Sequence, residues 1–253
     1  MAKTTRNKQQ LAIPTGPDIN AEQLVMKDNA LIMASYSLTV EEQRLILACI
    51  EKAQRQKDPL ASRAIEITLT VQEYADLYNV KMGTAYKALS ASSNKLYERS
   101  IRIDEEGLTR KVRWLQEQAN YDSGKVCLRF SDTISRHIRD IVTEQTAFRL
   151  EQATQLRTQH SIRLFEILNM VLDPITQEGE WTVSVDKLKD TFEVQGYDRW
   201  IDLKKRVISP SVQQINKYTS LRVDWQVTGK EGKRISEIRF TVFESDQLSL
   251  GLN

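Results

Sequence analysis

Residues 70–80, Thr70-Val71-Gln72-Glu73-Tyr74-Ala75-Asp76-Leu77-Tyr78-Asn79-Val80, lie without a gap over residues 184–194, Ser184-Val185-Asp186-Lys187-Leu188-Lys189-Asp190-Thr191-Phe192-Glu193-Val194. The apolar positions coincide although the identity is low. Continuing outward, Tyr86 falls on Trp200 and Leu89 on Leu203. After a short length difference, Ser100-Ile101-Arg102-Ile103 falls on Ser220-Leu221-Arg222-Val223. About forty residues with one order of elements, met twice, predict two copies of one fold joined near residues 143–157.

Each copy has a readable order. In the first, Thr39 and Glu42 form a capping box that opens a helix with Leu45, Ile46, Cys49, Ile50 and Ala53 on one face. Lys57-Asp58-Pro59 is expected to end it. Residues 64–69 alternate as a strand, and Thr70 with Glu73 caps a short helix that turns Tyr74, Leu77 and Tyr78 inward. A turn over 79–83 leads to a helix over about 84–99. Ile101 and Ile103 begin a strand, and β segments around 108–118 and 124–130 flank a hairpin loop at 120–124. The second copy runs through a helix at 161–172, a strand at 180–185, a short helix, a turn at 193–196, a long helix over 198–218, and strands around 221–227 and 235–243 with a turn at 229–232. Helix, strand, helix, turn, helix and hairpin is the order of a winged helix-turn-helix. The predicted class is therefore α+β: two tandem winged helix-turn-helix domains over 30–145 and 146–247. A flexible arm (1–29) with Lys3, Arg6, Lys8 and the breakers Pro14, Gly16 and Pro17 precedes them, and a tail (248–253) follows.

In such a fold the second helix of each pair enters the major groove, so its outer face should carry donors. At 100° per residue, Trp200, Leu203, Val207, Ser211 and Ile215 make one buried stripe. Asp202, Lys205, Arg206, Ser209 and Gln213 fall opposite, with Arg199 at the edge and Lys204 on the shoulder of the buried stripe. Pro210 is expected to kink or split this helix near Arg206. The matching first-copy helix turns out Thr84, Lys87, Ala91, Asn94 and Glu98, with Lys81, Lys95, Arg99 and Arg102 around it. Arg110, Lys111 and Arg113 on the first hairpin, and Lys230, Lys233 and Arg234 on the second, stand where wings touch phosphate.

Composition narrows the alternatives. The 253 residues are 40% hydrophobic and 28% charged, with a net charge of +2, ordinary for globular material. Two cysteines, Cys49 and Cys127, suit a reducing cytoplasm and supply neither a disulfide framework nor a thiolate metal site. No secretory or membrane-spanning segment is expected. No phosphate-binding loop or dinucleotide fingerprint is present. His137 and His160 lie too far apart in sequence for a closely spaced metal pair and are expected to be structural. The four tryptophans (114, 181, 200 and 225) are expected in the core. The chain is thus expected to be non-enzymatic, without cofactor or metal.

The stretches Ala34–Thr39, Thr146–Leu150, Arg163–Leu168, Val185–Lys189, Asp202–Val207, Ile215–Lys217 and Lys230–Ile235 resemble the replication initiators of iteron-containing, theta-replicating plasmids. The resemblance covers residues 30–245. It implies two winged-helix domains, each docking one major-groove segment of a directly repeated origin site. Monomers of such proteins bind the repeats, promote melting of adjacent DNA and recruit the host initiator and replicative helicase. Homodimers repress their own promoter and limit copy number. The family's principal reading helix maps onto Lys204, Lys205 and Arg206, with Arg199 adjacent, while Pro210 departs from its pattern. The alternative is a dimeric winged-helix repressor without origin function.

Overall fold

The computed structural model describes residues 23–56, 64–105, 107–117, 120–139 and 145–245. The expected stop at Lys57-Asp58-Pro59, the breakers and cations of residues 1–22, and the tail lie outside them. The chain opens with strand β1 (Leu24–Asp28) and the short helix α1 (Asn29–Met33), capped by the Asp28 carboxylate accepting from the Ala30 N–H. The boundary of the expected arm is therefore corrected: Val25 is fully buried, and residues 24–28 pair antiparallel with β7 (Gln145–Arg149).

The first copy continues with α2 (Val40–Gln56), β2 (Glu66–Thr70), α3 (Val71–Tyr78), α4 (Met82–Leu96), β3 (Ser100–Glu105), β4 (Leu108–Arg113), β5 (Asn120–Asp122), β6 (Lys125–Arg129) and α5 (Asp132–Arg139). Both expected capping boxes form. Glu42 N–H donates to Thr39 Oγ1 at 3.2 Å while Thr39 N–H donates to the Glu42 carboxylate at 2.8 Å, and Thr70 with Glu73 repeats the pattern. The strand pairing differs from expectation. β4 folds back on β3 around Gly107, and the turn at Ser123-Gly124 joins only β5 to β6, whose other edge pairs with β2. The first copy thus carries two hairpins, which strand propensity alone does not distinguish from one long one.

The second copy follows β7 with α6 (Leu150–Thr154), α7 (Gln159–Val171), β8 (Glu178–Ser184), α8 (Val185–Phe192), α9 (Trp200–Leu203), a π-helical turn (Lys204–Ile208), α10 (Ser209–Tyr218), β9 (Leu221–Glu231) and β10 (Arg234–Glu244). Its sheet has the order β8-β10-β9. Instead of an open linker, the expected joint holds Phe148, Leu150, Ala153 and Leu156 in the core. Helix α7 packs on α10 and β8 and also on α1, α2 and β7.

A buried ionic cluster fastens that junction. Lys27 Nζ meets Glu166 Oε1 at 2.7 Å, and Arg163 Nη1 meets Glu166 Oε2 at 2.9 Å, with all three side chains 2% exposed. Arg163 also donates to the Tyr36 hydroxyl and to the carbonyls of Ile32 and Ala34. Burial alone would raise the Glu166 carboxyl, but the two cations outweigh it and hold it below the ordinary carboxylate range.

Candidate nucleic-acid interface

The turns that aim the two reading helices are built alike. Helix α3 ends on Asn79 (φ 46°) and α8 on Glu193 (φ 49°), both left-handed, and these are equivalent positions in the sequence match. Val80 N–H donates to Ala75 O at 3.0 Å and Val194 N–H to Lys189 O at 2.9 Å, the six-residue bond that closes a helix through a left-handed cap. The same reversal therefore delivers α4 after α3 and α9 after α8.

On α4 the inward residues are Ala85, Leu89, Ser92, Ser93 and Leu96, and the expected outward set, Thr84, Lys87, Ala91 and Asn94, is exposed together with Lys81. In the second copy the α-helix is interrupted near Arg206, as Pro210 leads one to expect: a π turn separates α9 from α10, which opens on Ser209-Pro210, and the backbone between them stays helical. Ser209 N–H reaches back five residues to Lys204 O, and a proline next in line has no N–H to place in the α register. Burial records the inserted residue. Leu203 and Val207 are buried ahead of it; Ile208, Ser211, Val212 and Ile215 are buried after it. At a uniform 100° per residue these positions would spread over roughly half the circumference. The wider turn rotates the two ladders onto one core-facing stripe.

The outer face is left to Arg199, Lys205, Arg206 and Gln213, all exposed, with Asp202 and Ser209 half-buried. Lys204 is not part of that face: its ammonium lies 5.4 Å over the Trp225 ring, which also meets Trp200 edge-on at 6.0 Å. Trp114 and Trp181 are core as expected, whereas Trp200 and Trp225 are half-buried under this helix.

The wings divide in the same way. Arg110 and Lys111 are exposed on β4, but Arg113 donates to Tyr97 O at 3.1 Å and lies 4.6 Å over its ring. On the second hairpin the turn is Gly232-Lys233; Lys230 and Arg234 lie on the strands beside it. Gly229, expected in the turn, stands inside β9 at a bulge, where an added Cβ would come within 2.8 Å of Glu237 Cβ. Arg234 pairs with Asp186 in the first turn of α8.

Two cations read as surroundings of α4 serve the fold instead. Arg99 holds the buried Glu42 carboxylate at 3.1 Å. Arg102 bridges the copies, meeting Asp190 at 2.7 Å and Glu193 at 3.6 Å on α8, while Ser35 donates to Asp190 at 2.9 Å. Nothing local in the sequence marks these pairs, because their partners stand 57 to 155 residues away. The histidines are structural: His160 stacks on Phe192 (interplanar angle 4°), and His137 Nδ1 lies 3.5 Å from Asp28. Among the described residues no cluster of metal-ligating side chains occurs, and no helix is long and apolar enough to cross a membrane.

Residues 24–169 match the family described as Initiator Replication protein, WH1, and residues 184–242 match Initiator Rep protein, WH2. The chain belongs to the initiator replication protein family. A Replication initiation protein of Escherichia coli is 24% identical over 91% of this chain and 72% of its own length. A second relative from Escherichia coli, an uncharacterized 27.6 kDa protein, is 22% identical over 83% of this chain and 91% of its own length. Among solved structures, the Pi initiator protein in complex with iteron DNA superposes over 90% of this chain and all of its own with a TM-score of 0.73, at 19% identity. The family match makes the expected class plain: this initiator consists of two winged-helix domains, in a family of binding proteins rather than catalysts.

Proposed function

We propose that this initiator binds directly repeated origin DNA through both winged helices of one chain. The carrying observation is the second reading helix: Lys205 and Arg206 stand exposed and adjacent on a helix whose opposite face is core. That arrangement suits guanine edges and phosphates, and Gln213 one face further along suits adenine. Lys230 and Lys233 at the hairpin, with Arg110 and Lys111 on the other wing, supply sequence-independent phosphate contacts. The Pi initiator's complex with iteron DNA supports the same reading for a protein of this fold.

In this reading the reading modules comprise residues 30–145 and 146–247, the first joined by the strand at 24–28. As a monomer the protein occupies the repeats, promotes melting of adjacent DNA and recruits the host initiator and replicative helicase in the bacterial cytoplasm. As a homodimer it represses its own promoter and restrains copy number. Footprinting on the DNA beside the encoding gene tests this. Protection of direct repeats, each spanning two successive major-groove segments per chain, is the expected result. Protection of an inverted repeat alone would replace the initiator reading with that of a repressor, and no protection would overturn DNA recognition.

A further inference from the structure

Two large apolar side chains are half exposed at the start of the first reading helix. Met82 is 48% exposed and Tyr86 is 51% exposed, and four residues apart on α4 they lie one above the other on one face. Exposed apolar groups are common singly, but a stacked pair at the end of a helix that enters a groove asks for a reason. Around them, Lys81, Gly83, Thr84 and Lys87 are exposed as well, and at Gly83 an added Cβ would find open space on every side. This end of α4 therefore offers apolar surface and low backbone relief between two lysines.

The polar repertoire here is narrow. Between Lys81 and Ala91 there is no arginine, asparagine or glutamine, so the only side chains at this end able to contact guanine bidentately are the lysines, and Asn94, which suits adenine, stands near the other end of the helix. The feature of a major groove that a methionine and a phenol ring do recognise is the 5-methyl group of thymine. The second reading helix presents the opposite chemistry at its centre, with Lys205 and Arg206 exposed.

We propose that Met82 and Tyr86 read thymine methyl groups, with Lys81 and Lys87 holding the flanking phosphates, so that the two copies specify their halves of a repeat by different means. This rests on the DNA-binding reading above. The test uses the full chain and the footprinted repeat with each thymidine replaced in turn by deoxyuridine, which removes the methyl and keeps the base pairing. Loss of one buried methyl should weaken binding roughly 3–10-fold at one or two positions, confined to the half-site that α4 covers. In Met82→Ala or Tyr86→Ala the same deoxyuridine should cost less than about 2-fold, while the natural repeat binds as weakly as the deoxyuridine duplex does to the original protein. Equal binding of thymidine and deoxyuridine duplexes by the original protein overturns the proposal, as does a penalty undiminished in both variants. Either result leaves DNA recognition standing, whereas failure to retard the natural repeat at all defeats the underlying reading. Both side chains are half in solvent, so unchanged thermal unfolding of the variants serves as the folding control.

Discussion

Arg206 and Lys204 are near neighbours in sequence with different work to do. Arg206 is exposed on the outer face, and Arg206→Ala should weaken specific binding by about 1–3 kcal/mol, read by titrating the cognate repeat in a gel shift. Unchanged affinity would remove Arg206 from the reading set. Lys204 covers the Trp225 ring, so its loss should show first in stability. His160 gives a pH signature. Burial beside Phe192 lowers its pKa from 6.5 to about 4, so the folded state resists protonation. Its effect is absent well above pH 6.5, and stability falls as the pH drops through 6.5 toward 4, by about 3 kcal/mol in all. Denaturant unfolding of His160→Gln should lack that component of the acid slope. The outward and inward positions of both reading helices follow from helical periodicity and are legible in the sequence. The pairing of Arg99 with Glu42 and of Arg102 with Asp190 is not, because it depends on where distant segments meet.

The π turn interrupts the α-helix near Arg206, where Pro210 leads one to expect an interruption. Proline chemistry correctly removes an α-register hydrogen bond, and from that alone a break follows. Packing sets the form that the break takes: the apolar ladders on either side of the turn are offset by one residue, and widening one turn buries both. A π turn is one residue inserted into an α-helix, so it is removable. Deleting Lys204 together with Pro210→Ala should leave a folded protein with uniform α pitch and the same buried ladders, with Lys205 and Arg206, which lie within the former π turn, turned relative to the flanking positions. Its helical circular dichroism should stay close to that of the parent and its unfolding cooperative, with melting lowered by loss of the Lys204 contact on Trp225, while repeat affinity falls. Global unfolding of the variant would show that the offset ladders are not what sets the turn. The hairpins teach a related lesson. Residues 108–113 and 120–129 have strand character, but the choice of β3 as partner for β4, and β2 for β6, is made by contacts between elements.

Across the whole molecule, the junction between copies rests on Lys27, Arg163, Glu166 and Tyr36, which draw β1, α1 and α7 together. Removing one partner of a buried ionic group leaves uncompensated charge, so Glu166→Ala should cost about 3–5 kcal/mol in urea unfolding. A loss under 1 kcal/mol would mean that water reaches the site. The exposed pairs across the same junction, Arg102 with Asp190 among them, are screened and should contribute little to stability. The sequence by itself determined the duplication, both capping boxes, the helix-turn-helix order and the outward placing of Lys87, Lys205 and Arg206, because each depends on spacing within one element or on chain order. The tertiary structure alone decided the strand partners, the π form of the interruption before Pro210, and the recruitment of residues 24–28 into the fold. Those outcomes are set by surfaces that meet only after the chain has closed, where burying apolar area and pairing charge outweigh local preference.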